Sequence, residues 1–140
     1  MRKLAGFLMI AMVGVILFSF KSGSEPGIKF ENYTFERAKK EAKKSGKLLF
    51  IDAYTDWCGP CRAMANGAFK DENVGKAFDQ SFVSIKIEME KNPDGPEVAR
   101  MYGVRAYPTL LVIDGDGKLV KQLIGMQSAD RLIALAESVR

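Results

Sequence analysis

Cys58 and Cys61 are the only two cysteines in this 140-residue chain, and only Gly59 and Pro60 separate them. They stand where an apolar run, Leu48 to Tyr54, gives way to a segment able to continue as a helix. So close a pair can form a small disulfide ring or present one thiolate to another disulfide, which suits exchange chemistry better than stapling a large fold. A structural zinc site needs four ligands, and a chain without histidine would have to recruit two carboxylates. A purely structural disulfide over so short a loop removes little chain entropy. Redox exchange is therefore the leading use. With Cys58 at or near a helix N-cap and Pro60 in the first turn, unpaired N–H groups and the positive helix end favour a thiolate at Cys58. Cys61, one turn further in, is expected to be more buried and to act as the resolving thiol.

The length suits one domain with one hydrophobic core, so a second catalytic domain is not expected. The formal charge is +4, but Arg2, Lys3 and Lys21 fall in the first 24 residues, which hold no acid. Subtracting these three leaves +1 for the body, a poor electrostatic footprint for nucleic acid. The absence of histidine also removes the commonest general base and metal ligand near neutral pH. Neither a metal nor another cofactor is expected.

Residues 1–24 read as a targeting segment with linker, and residues 25–140 as the domain. The short basic start is followed by an uncharged run from Leu4 to Phe20, between the core of a signal peptide and the shortest spanning helix. Ser22 and Ser24 around Gly23 offer a moderate cleavage site. Phe18 and Phe20 carry the apolar run to its end and tilt the expectation toward a signal-anchor, a transmembrane segment retained at the N-terminus. Arg2 and Lys3 favour a cytoplasmic start with the domain exported. Export would place the dithiol where disulfides can form.

Beyond the linker Lys21 to Gly27, Asn32 or Thr34 can cap a helix that runs to about Ser45, with Phe35, Ala38 and Ala42 inward. Leu48 to Tyr54 is nearly continuous in apolar character and predicts a central strand covered on both faces. Arg62 to Phe69 reads as a helix, and Asp71 to Phe78 as a short helix or turn. Phe82 to Met89 alternates with period two, placing Lys86 and Glu88 on one face of a strand. A breaker cluster at Asn92 to Pro96 precedes a short helix, Glu97 to Tyr102. Thr109 to Ile113 and Leu119 to Ile124 form a hairpin about Asp114-Gly-Asp-Gly117. From Ser128 the spacing of Leu132, Leu135, Ala136 and Val139 is helical. This order predicts an α/β fold, a central mixed β-sheet with helices on both faces.

Trp57-Cys58-Gly59-Pro60-Cys61, preceded by Phe50-Ile51-Asp52-Ala53-Tyr54 and followed far along by Gly103-Val104-Arg105-Ala106-Tyr107-Pro108-Thr109-Leu110, resembles the thioredoxin family over about Phe30 to Val139. Tyr54 to Cys58, with Arg62-Ala-Met64 and Phe69 to Val74, is further similar to exported thioredoxin-like domains related to the C-terminal domain of transmembrane thiol:disulfide interchange proteins. The resemblance implies a thioredoxin-like fold. Asp52, six residues before Cys58, falls where the family places a buried carboxylate beneath the resolving thiol, implying that it helps to deprotonate Cys61. A lone carboxylate amid Leu49, Phe50, Ile51 and Ala53 would be costly to desolvate and should have a raised pKa if buried; the alternative is a strand-end Asp facing water. Lys86 matches a lysine often found near that carboxylate, or is an exposed lysine on an alternating strand. Pro108 matches the family's cis-proline, and the backbone at Tyr107 would pair with an extended substrate beside Cys58. Trp57 would flank the nucleophile, unless it is a core aromatic. Gly125 resembles the glycine that lines the substrate groove, although a turn would also use one.

The function expected is a thiol-disulfide oxidoreductase, reducing disulfides of exported partner proteins and drawing electrons from an upstream membrane or thiol donor. Its place would be the periplasmic side of the bacterial inner membrane if anchored, or the soluble periplasm if the leader is cleaved, with the domain itself monomeric and no nucleic-acid partner. The alternative from another class is a polypeptide-binding assembly factor or holdase that uses the same groove without catalysis.

Overall fold

The computed structural model describes residues 25–140. Thr34 caps α1 (Phe35–Ser45), its Oγ1 accepting the Arg37 N–H at 3.3 Å, and turns Phe35, Ala38 and Ala42 inward as the periodicity requires. The chain continues through β1 (Leu48–Tyr54), α2 (Gly59–Asn66), a 3-10 turn (Ala68–Lys70), α3 (Glu72–Ser81) and β2 (Phe82–Glu88). After α4 (Gly95–Tyr102) come the hairpin strands β3 (Thr109–Ile113) and β4 (Leu119–Ile124), then α5 (Ala129–Ser138). The strand order is β2-β1-β3-β4, with β1 parallel to β2 and antiparallel to β3, so β1 is central as its unbroken apolar run predicts.

Alternation along β1 feeds two cores. Leu49, Ile51 and Ala53 pack with α1, α4 and the inward residues of β2 and β3. Phe50 faces the opposite way into Met64 of α2, Val74 and Phe78 of α3, and Leu132 and Leu135 of α5. There its ring stands edge-on to Phe78, centroids 4.8 Å apart, and to Phe69 at 6.3 Å. Asp52 follows Phe50 on this second face, opposite Lys86 in the β1–β2 ladder. The mixed sheet with helices on both faces is therefore as the element order predicts.

Three local expectations need correction. α2 spans Gly59–Asn66 rather than Arg62 to Phe69, because Cys58 and Pro60 supply an N-cap and a first-turn residue upstream, while Gly67 closes the helix. α3 runs on to Ser81, with Asp71 Oδ1 accepting the N–H groups of Asn73 and Val74 at 2.8 and 3.0 Å. α4 starts at Gly95, two residues before the predicted Glu97, since Pro96 is tolerated in a first turn. The signal-anchor and transmembrane assignments also fail to carry over. Among the described residues no helix is long and apolar enough to cross a membrane, each being short and amphipathic, and the segment on which that expectation rested lies outside the described residues.

Candidate active site

Thr55, Asp56 and Trp57 carry the chain from β1 to Cys58, in a turn closed by the Cys58 N–H donating to the Thr55 carbonyl at 3.2 Å. Cys58 is the N-cap of α2, and its Sγ accepts the Cys61 N–H at 3.2 Å. A sulfur thus occupies the place where a helix start favours negative charge. The two cysteines are joined as a disulfide, with Cα atoms 5.3 Å apart. Cys61 is not the more buried of the pair: the residues are 3% and 4% exposed, Cys58 first. In the closed ring each sulfur covers a side of the other that solvent would otherwise reach.

Asp52 is 1% exposed, and neither of its carboxylate oxygens has a hydrogen-bond partner among the described residues. The alternative of a strand-end carboxylate facing water is ruled out, because α2, α3 and α5 cover this face. Lys86 brings its Nζ to 3.7 Å from Asp52 Oδ2, near enough for ion pairing and too far for a hydrogen bond. The ammonium also lies 4.7 Å from the Tyr54 ring centroid and 5.4 Å from that of Phe30, and its side chain is 30% exposed. Burial pushes the Asp52 pKa up to about 6, against the opposing pull of Lys86. Desolvation wins because the counter-charge sits at the wetter edge while the carboxylate is enclosed. Lys86 also lines a surface cleft of about 290 Å³ with Phe30, Ala65 and Phe69.

The remaining candidate residues stand at the start of β3 and the end of β4. The Tyr107–Pro108 peptide bond is cis, and Pro108 is buried. Its carbonyl accepts the Gly125 N–H at 2.8 Å, which fastens the end of β4 to the segment before β3. Gly125 has φ +87°, a conformation strained for any residue with a Cβ, and among the described residues nothing beyond its chain neighbours lies within 4 Å of where a Cβ would stand. Trp57 is 63% exposed and therefore no core aromatic; its ring meets Tyr107 edge-on, centroids 5.9 Å apart. The structure thus joins Cys58 to Cys61, Asp52 to Lys86, Trp57 to Tyr107 and Pro108 to Gly125. Gly59 and Pro60 stand exposed at the start of α2.

One buried charge was legible only as a polar position on β2. Glu88 is 8% exposed; its Oε1 accepts the Asp56 N–H at 3.1 Å, and its Oε2 accepts those of Glu90 and Lys91 at 3.0 and 2.6 Å. Its place on the Asp52 and Lys86 face, directly before the turn through Asn92 and Pro93, was the available signal.

A family model described as a thioredoxin-like domain matches residues 35–140. Thioredoxin F1 of the Arabidopsis thaliana chloroplast is 33% identical over 94 residues, 67% of this chain; the chain spans about half of that relative, 48%. Among solved structures, a candidate disulphide-isomerase from Bacteroides thetaiotaomicron is 40% identical, with a TM-score of 0.71 over 84% of this chain and 98% of its own. The reduced C-terminal domain of DsbD from Neisseria meningitidis is 30% identical, with a TM-score of 0.62 over 75% of this chain and 93% of its own. The match across every element from α1 to α5, with the Cys58–Cys61 pair at the start of α2, places this chain in the thioredoxin-like domain family.

Proposed function

We propose that this protein is a thiol-disulfide oxidoreductase that reduces disulfides in partner proteins. The observation that carries the reading is the Cys58–Cys61 disulfide at a helix start, where the Cys61 N–H reaches the Cys58 sulfur. In the reduced protein the Cys58 thiolate attacks a partner disulfide, forming a mixed disulfide and releasing one partner thiolate. Cys61 then attacks Cys58, the second partner thiolate leaves, and the internal disulfide closes. Two electrons pass to the partner. The proton of Cys61 goes to Asp52, whose raised pKa suits it to accept one near neutral pH. Lys86, at the solvent edge of the same carboxylate, supports return of that proton to water. An upstream dithiol must then restore the reduced pair.

Trp57, the residue before Cys58, meets Tyr107, Gly125 is tied to the adjoining Pro108, and neither backbone group of Tyr107 makes a hydrogen bond among the described residues. An extended partner segment could use them, as β-strand addition does. The likeness to the DsbD domain and the basic start and apolar run of residues 1–24 support work outside the cytoplasm, with those residues as a leader ahead of the 25–140 domain. Exported disulfide-containing proteins are the partners this reading implies. A mature N-terminus near Glu25 by intact mass is expected, and full-length chain confined to the cytoplasm would refute it.

Turnover of an insulin-like disulfide substrate tests the central claim. Cys58→Ser is expected to reduce turnover to background, and Cys61→Ala to accumulate mixed disulfides that identify the partners. Exposed Trp57, Ile124 and Met126 also suit a non-enzymatic polypeptide binder. Substrate capture by Cys58→Ser with no wild-type turnover would favour that alternative.

A further inference from the structure

Glu88 ends β2 opposite Tyr54, the last residue of β1. From there its carboxylate reaches the N–H groups of both segments that leave the sheet at this end, Asp56 on one side and Glu90 with Lys91 on the other. A buried carboxylate that accepts three N–H groups forms strong, charge-assisted bonds that fix the donors relative to one another. Asp56 is held at every polar point: its N–H by Glu88, its carbonyl by Arg62 Nη1 at 2.9 Å, and its carboxylate by Lys91 Nζ at 2.5 Å. Trp57, next in the chain, donates its Nε1 proton to Glu90 at 3.1 Å. Cys58 comes immediately after. The residues that place the sulfur are therefore tied to the turn after β2.

We propose that the Glu88 carboxylate is a positioning residue for the dithiol: by anchoring Asp56 it sets the stance of Trp57 toward partners and holds the Cys58 sulfur where the Cys61 N–H can reach it. The proposal rests on the reading of Cys58 as the nucleophile. It differs in kind from the part given to Asp52, since Glu88 exchanges no proton and touches no reacting atom.

Glu88→Gln separates this role from bulk stability. An amide has one acceptor oxygen, and turning it toward Glu90 and Lys91 keeps two of the three bonds while presenting NH2 to the Asp56 N–H. The bond lost is the one to the cysteine-bearing loop. Trp57 is the only tryptophan in the chain, so its fluorescence reports this loop directly. In reduced, folded Glu88→Gln we expect lower nanosecond anisotropy of Trp57 and slower alkylation of Cys58 by iodoacetamide at pH 7. The slowing should be on the order of fivefold, the factor that one ordinary hydrogen bond represents. Unchanged anisotropy and alkylation in a folded variant overturn the proposal, and so does a lowered melting temperature with both readouts unmoved. Should the variant fail to fold, amide exchange in the wild type decides: protection of the Asp56 N–H comparable to that of Glu90 and Lys91 supports the anchor, and fast exchange at Asp56 rejects it. Neither readout requires disulfide turnover, so an absence of reductase activity would leave this test intact.

Discussion

Two buried carboxylates lie on one face of the sheet, on neighbouring strands, and the protein treats them in opposite ways. Glu88, at the rim, is saturated with three backbone N–H groups. Asp52, in the middle of β1, has no hydrogen bond to its carboxylate among the described residues and a lysine 3.7 Å away. Backbone donors were available to Glu88 because the chain leaves the sheet there, whereas in the middle of a ladder the amides are committed to neighbouring strands. A saturated carboxylate fixes structure; a deprived one is expensive to ionise, and Asp52, with its pKa pushed up to about 6, can exchange a proton near neutral pH. Burial alone therefore identifies neither role, and the partner inventory separates them.

Removing the saturated group should have the largest effect. Glu88→Ala leaves three donors without their acceptor and is expected to cost about 3 kcal/mol, partly offset because the rim admits water; urea unfolding at pH 7 measures it, and a loss below about 1 kcal/mol would blur the contrast. Asp52→Asn should act in the opposite direction. The native pKa of about 6 lies above the ordinary 3.8, so the folded protein binds more protons than the unfolded chain between those values. This group's contribution is thus fully present below about pH 4 and is lost as pH rises through about 6. The shift corresponds to about 3 kcal/mol at most, and the desolvated amide returns part of it, so a net gain of about 1–2 kcal/mol at pH 8 is expected for Asp52→Asn. Its stability profile between pH 4 and 7 should also flatten. In turnover, Asp52→Asn should slow release of the mixed disulfide more than its formation, as stopped-flow measurement with a trapped partner would resolve; equal slowing of both steps would remove Asp52 from the proton transfer.

Lys86→Met sharpens the comparison by taking away the neighbouring charge that favours ionised Asp52. The stability change that Asp52 contributes should then centre higher, by about one pH unit, and an unmoved midpoint would show Lys86 to be an ordinary surface lysine. The smallest effect on folding is expected at Trp57→Ala, within about 0.5 kcal/mol because the side chain is largely exposed. A rise in KM for disulfide substrates with kcat little changed would place Trp57 in partner binding.

Much of this was legible in the residues. The unbroken run Leu48 to Tyr54 marked the central strand, and Asp114 to Gly117 marked the hairpin, because apolar periodicity and turn chemistry act over a few residues. Cys58 as N-cap was likewise readable from Pro60 two positions on. The Arg62 to Phe69 pattern alone points to a later start of α2 than that cap sets. Relative burial of the two cysteines does not follow from helix position, which says nothing about how a closed ring shields itself. Glu88 is readable only as a polar strand position, because its partners Asp56, Glu90 and Lys91 are backbone donors, which no side-chain pattern announces.

By itself, then, the sequence determined the chemistry on offer: two thiols on a helix start, a carboxylate within an apolar strand, and no histidine. Those are local properties of residue type and spacing. Only the tertiary structure decided that the Asp52 carboxylate lacks a hydrogen bond among the described residues while Glu88 is saturated, that Lys86 stands beside the first, and that Trp57 meets Tyr107, distant from it along the chain. Each of these depends on which strands are neighbours and where the chain leaves the sheet, and long-range packing fixes both.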